Sequence, residues 1–178
     1  MRSVLIAFAL SLSATAGVAD ISWHADQMGV GSVMVMKDRS GVVTHIKRDA
    51  RAGEHAFDMF RGEGRDAAFL GSYTTNARGE VTRTVASDGA VTLYSPHRCT
   101  RTLGECSFQV THADGFVEPR TRVTRAVRNG LQYQEFSLNG LVAEGGLKLD
   151  QIGAASEAWH QDAGRKKRRT KRVLFALK

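Results

Sequence analysis

Asn76 to Gly89 reads Asn-Ala-Arg-Gly-Glu-Val-Thr-Arg-Thr-Val-Ala-Ser-Asp-Gly, a strand-length segment held between two turn signals. Asn76-Ala77-Arg78-Gly79 and Asp88-Gly89 supply residues that take the positive φ angles of tight hairpin turns at little steric cost. Between them, Val81 and Val85 fall on one face with Arg83 between them, and Thr82 and Thr84 fall on the other. Such alternation marks a strand with one buried face and one wet face.

The same punctuation recurs at Ser40-Gly41, Gly62-Glu63-Gly64, Leu103-Gly104, Asp114-Gly115, Asn129-Gly130, Asn139-Gly140 and Gly145-Gly146. From Asn76 onward the gaps are mostly about 10–15 residues, enough for one strand between turns, which is the spacing of an antiparallel meander. Strands are expected over residues 32–37, 42–48, 67–75, 80–86, 90–95, 106–112, 116–127, 131–137 and 141–149, with a short turn of helix somewhere in 48–60.

After Asp150 the texture changes. Ile152, Ala155, Ala158 and Trp159 stand at helical spacing with Asp150 as an N-cap, which predicts a helix over 151–161. Val173, Phe175 and Leu177 then alternate as a last strand would. The expected fold is mainly β: an antiparallel meander forming a closed or partly open barrel or a curved sheet, one helix near the C-terminus, and a final strand.

Residues 1–19 have a different character. Arg2 precedes a mostly apolar run from Val4 to Leu12, and Gly17 and Ala19 are small residues before Asp20. This order predicts a cleavable export signal. The run falls short of the roughly 20 residues needed to cross a bilayer. The expected organisation is a signal peptide (1–19), a β-rich domain with its C-terminal helix (20–164), and a basic tail leading into a last strand (165–178). The expected compartment is the periplasm, or the medium, of a Gram-negative bacterium.

The chain has 25 Lys+Arg, 18 Asp+Glu and a formal charge of +7. Arg165, Lys166, Lys167, Arg168, Arg169, Lys171, Arg172 and Lys178 stand together without an acidic neighbour. Without these eight and Arg2, 16 basic residues face all 18 acidic ones, so the domain itself is near neutral. A nucleic-acid-binding fold is therefore not expected, and whatever the charge does it does at the tail. Arg165, Lys166, Lys167, Arg168, Arg169, Lys171 and Arg172 are candidates for contact with an anionic envelope surface, phospholipid or lipopolysaccharide, or with an acidic protein.

Two cysteines in an exported chain are expected to pair. Cys99 and Cys106 fit opposite positions beside a hairpin tip with Gly104 in the turn, a register that sets Leu93 against His112 and His97 against Phe108. The six histidines include no metal-spaced pair, and neither a metal nor a cofactor is expected. Arg120, Arg122 and Arg128 share one face of a long strand and its turn, the arrangement that suits a carboxylate- or phosphate-bearing ligand. No nucleophile frame such as G-x-S-x-G occurs, and an enzyme would require His, carboxylate and Arg side chains to meet in one cleft. Glu54, Asp58, Glu63 and Asp66, interleaved with Arg51, Arg61 and Arg65, suggest a salt-bridged loop instead.

Two functions follow from these residues, with a periplasmic enzyme as a third reading. One is a non-enzymatic exported β-protein that binds an envelope component, with its basic tail at an anionic surface. The other is a carrier of a small apolar or anionic ligand. In architecture alone the strand order resembles lipocalins, but the Gly-x-Trp pattern is absent, Ile21 standing where Gly would precede Trp23.

Overall fold

The computed structural model describes residues 28–39, 41–51, 53–62, 66–99, 102–150 and 155–176. The expected export signal lies outside them. Twelve strands follow one another: β1 (Val33–Asp38), β2 (Gly41–Arg51), β3 (Glu54–Arg61) and β4 (Ala68–Asn76). Then come β5 (Val81–Ala86), β6 (Val91–Tyr94), β7 (Gly104–Thr111) and β8 (Val117–Val127). β9 (Gly130–Ser137), β10 (Gly140–Leu149), β11 (Ala155–Asp162) and β12 (Arg168–Ala176) complete the set. Each strand pairs antiparallel with its sequence neighbour, and β1 pairs with β12, so the meander closes into a barrel.

The turns form as their residues dictate. In 86–90, 112–116 and 76–80 the same five-residue loop is repeated, with the fourth-residue N–H donating to the first carbonyl (Gly89 to Ala86, 3.0 Å; Gly115 to His112, 2.9 Å; Gly79 to Asn76, 2.9 Å). Gly89 and Gly115 take φ +87° and +84°, and the preceding Asp88 and Asp114 each accept the N–H two residues on. Because the chain is a simple meander, the loops after β1, β3, β5, β7, β9 and β11 lie at one rim. The others, with the segment before β1, lie at the opposite rim.

Four expectations are corrected. Residues 155–162 form strand β11, not a helix: Ala158 is buried while the next residue, Trp159, faces outward under Lys167. The backbone of this segment is paired on both sides, by β10 (Gly146↔Trp159, Leu147↔Ala158) and by β12 (Ala158↔Thr170). Ladders on both sides outweigh a weak helical spacing that includes Gly153. Asp150 accepts from the guanidinium of Arg172; residues 151–154 lie outside those described.

The second concerns Gly145-Gly146, which lies within β10 and not at a turn. Third, residues 48–60 carry no helical turn among those described, since β2 runs to Arg51 and β3 starts at Glu54, which puts Glu54 and Asp58 on a strand. The fourth lies in β5, where an extra residue, Thr82, sits between Arg83↔Thr74 and Val81↔Thr75. A bulge of this kind changes which face the following residues use. Val81 therefore packs on the core, while Arg83 is exposed and Thr84 faces Tyr73 across the ladder.

The interior has two halves of opposite character. On the β1–β4 side, Met28, Met34, Met36, Phe57, Met59 and Tyr73 form one apolar cluster, with Phe57 and Tyr73 stacked at 4.9 Å. Across the barrel, the inward positions of β8 to β11 carry Arg120, Arg122, Thr124, Tyr133, Glu135 and His160, where an apolar core would ordinarily stand.

Candidate functional site

The polar half is built by alternation. β8 turns Glu118, Arg120, Arg122 and Thr124 inward, and Glu135 of β9 stands opposite Arg122. Arg120 Nε and Nη2 donate to Glu118 Oε2 at 2.9 and 2.7 Å, and its Nη1 lies 3.5 Å from Glu135 Oε2. Arg122 donates to Glu135 through Nε at 2.8 Å and again through Nη2, and its guanidinium covers the Tyr133 ring at 4.4 Å. His112, at the rim, lies 3.1 Å from Glu118.

A second chain of contacts runs beside it. Tyr133 Oη is 3.0 Å from His160 Nδ1, and His160 Nε2 is 2.9 Å from Asp162 Oδ1. One tautomer satisfies both bonds, with Nε2–H donating to Asp162 and Nδ1 accepting from the tyrosine. Burial opposes the charge on Glu135, but the Arg122 guanidinium, with help from Arg120 and His160, outweighs it and holds the carboxyl below its ordinary range. Burial likewise opposes the charge on Arg122, and Glu135 restores it and raises the pKa. Tyr94 is driven up by burial first and by Glu135 second.

His, carboxylate and Arg side chains thus converge, yet each is engaged by another member of the cluster. Arg120 and Arg122 point inward as a ligand-binding face would require, but Glu118 and Glu135 already occupy the positions a ligand carboxylate would take. Arg128 is not with them: it lies exposed in the β8–β9 turn at the opposite rim. The sequence signal for the whole cluster was the run Glu118-x-Arg120-x-Arg122 facing Tyr133-x-Glu135, which becomes readable only once the β8–β9 register is known.

The basic run belongs to the β11–β12 hairpin. Arg165, Lys166 and Lys167 form its tip, and Arg168 and Arg169 open β12; all five are exposed. Lys167 Nζ sits 3.3 Å from the centre of the Trp159 ring, and Arg165 approaches Asp162 at 4.0 Å. Lys171 is exposed, whereas Arg172 turns to Asp150 and is largely covered. On the same rim, Leu138, Phe116, Val117 and Leu141 are 86, 60, 47 and 42 % exposed. The β11–β12 loop is tied to the β9–β10 hairpin by Ala163 N–H donating to Val142 O at 2.8 Å.

Cys99 and Cys106 form a disulfide with a Cα–Cα separation of 5.3 Å. Cys99 lies in the β6–β7 loop, though, and the ladder register is Leu93↔Thr111, one residue away from the expected Leu93–His112 pairing. That single step puts the two on opposite faces, His112 inward with Phe108 and Val110 and Leu93 outward. The ring of His97 still meets Phe108, at 4.9 Å, and its Nδ1 lies 3.2 Å from the buried carboxylate of Glu80.

Compared with known proteins, this chain is matched by no family model, no curated sequence and no solved structure.

Proposed function

We propose that this is an exported, non-enzymatic binding protein that docks on an anionic phospholipid surface through the rim carrying the β7–β8, β9–β10 and β11–β12 loops. The observation that carries this reading is the meeting of two features on one rim: the five exposed basic residues Arg165–Arg169 and the exposed apolar side chains of Phe116, Leu138 and Leu141. Basic residues near a charged bilayer contribute about 1 kcal/mol each at low salt, and apolar tips beside them enter the headgroup layer. Contact through a rim is favoured over lateral immersion. Outward positions along the strands include Arg83, Gln109, Gln134, Glu144 and Lys171, and a cation facing the bilayer midplane costs about 2–4 kcal/mol.

Co-sedimentation with phosphatidylglycerol vesicles tests the reading. Binding is expected at low salt, weaker with added salt and absent on phosphatidylcholine. Replacing Arg165–Arg169 by Gln and Ser should lower it at least tenfold, and Leu138→Ser should lower it further. Binding that ignores both changes would remove the rim from consideration. Capture of lipopolysaccharide or of an acidic protein, with no affinity for phospholipid, would overturn the choice of partner.

The carrier reading draws less support. Its anionic form needs free arginines, and Arg120 and Arg122 are both bound to internal carboxylates. Its apolar form needs space on the β1–β4 side, where Met34, Met36, Phe57, Met59 and Tyr73 pack against one another.

A further inference from the structure

Apart from Met1, the sequence contains four methionines, Met28, Met34, Met36 and Met59. All four are buried in the same cluster, at 1, 0, 1 and 2 % exposure. They surround the inner face of β2, where His45 is wholly buried. The register is explicit: His45 stands directly opposite Met34 of β1 on one side and Met59 of β3 on the other. Direct cross-strand neighbours hold their Cβ atoms about 4.5–5.5 Å apart, so Met34 and Met59 flank His45 in one row. Met36 follows on the same face of β1. Met28 comes from the segment before β1, which Lys47 holds by donating from Nζ to Met28 O while Gly31 N–H donates to Lys47 O at 2.7 Å.

His45 is the anomaly of this core. Neither Nδ1 nor Nε2 has a hydrogen-bond partner among the described residues, although a buried polar side chain is nearly always satisfied. Its ring meets Tyr73 edge-on at 6.0 Å.

We propose that His45, Met34 and Met59 form a binding site for a single Cu(I) ion, with Met36 and Met28 of the same cluster as candidates for a further thioether. Thioether sulfur is a soft donor that selects Cu(I) over the harder divalent ions, and imidazole is compatible with the same metal. A metal-binding histidine must offer a ring nitrogen that is not already engaged, and neither nitrogen of His45 has a hydrogen-bond partner among the described residues.

The test is anaerobic titration of the folded protein with Cu(I) against a colorimetric Cu(I) chelator, with methionine methyl resonances followed by NMR. The expected result is withdrawal of one equivalent, with shifts at Met34 and Met59. The double variant Met34→Leu/Met59→Leu keeps core volume and should lose affinity at least tenfold while its circular dichroism is unchanged. Should the double variant not fold, the single variants take its place, each with a smaller loss. No withdrawal by the wild type, or undiminished withdrawal by the leucine variants, would show that the methionines only fill the core. Zn(II) binding as strong as that of Cu(I) would overturn the assignment of the metal.

Discussion

His45 shows at the scale of one residue what it means to bury a base with no hydrogen-bond partner among the described residues. Its folded pKa of about 3 lies below the 6.5 of the unfolded chain, so the folded state binds fewer protons in the window between them. The stabilisation that follows is complete above pH 6.5 and is lost as pH falls toward 3. Between pH 7 and pH 5 the loss amounts to about 2 kcal/mol. Urea unfolding at the two pH values should show this difference in the wild type, and His45→Leu should remove it while leaving the carboxylate contributions below pH 5 intact. Glu135 acts in a lower window. Its depressed pKa means that its contribution is present above the ordinary carboxylate range and fades as pH falls through the folded value. None of this was legible beforehand, because alternation identifies the two faces of β2 and β8 but not which one is inside.

Strand β10 shows what one element contributes to both faces of the wall. Gly145 and Gly146 stand side by side and point to opposite faces. A Cβ on Gly145 would lie 2.4 Å from the Tyr133 ring, and one on Gly146 would lie 2.5 Å from Trp159 Nε1. The pair therefore lets one aromatic ring lie flat inside the barrel and another outside it. Inside, the ring so placed accepts the Arg122 guanidinium and directs its hydroxyl to His160. Gly145→Ala should displace Tyr133 and cost about 1–3 kcal/mol, the usual range for overpacking, seen as a lowered urea midpoint with an unchanged slope. The sequence shows the pair plainly, but adjacent glycines carry the same signal in a turn as in a strand where rings come close. Their role depends on Tyr133 and Trp159, which lie on the neighbouring strands β9 and β11.

For the molecule as a whole, the turn chemistry of 76–80, 86–90 and 112–116 and the alternation between loops were enough to read a β-meander. Closure was not readable. It depends on Val33 meeting Ala176 and Met36 meeting Arg172, pairings that span nearly the whole chain and leave no local mark. The helix expected at 151–161 failed for the same reason: β11 is a strand because β10 and β12 flank it, and neither neighbour is visible from its own residues. Closure also removes the two open edges that a twelve-strand sheet would otherwise expose. Deleting residues 168–178 would leave one edge of β1 and one edge of β11 unpaired. The shortened protein should elute from size exclusion as dimers and larger species, while the full barrel stays monomeric.

The β1–β12 seam is a hairpin in every respect except that no loop joins it. Val33 and Ala176 lie side by side just where a turn would connect any other two strands. Around the wall, therefore, the order of strands is circular, and the position of the chain's ends is a property of the gene more than of the shape. A short loop from 176 to 33 would make all twelve neighbour pairs alike. The exposed Leu138-Asn139 turn would then serve as well as the seam for the place where the polypeptide starts.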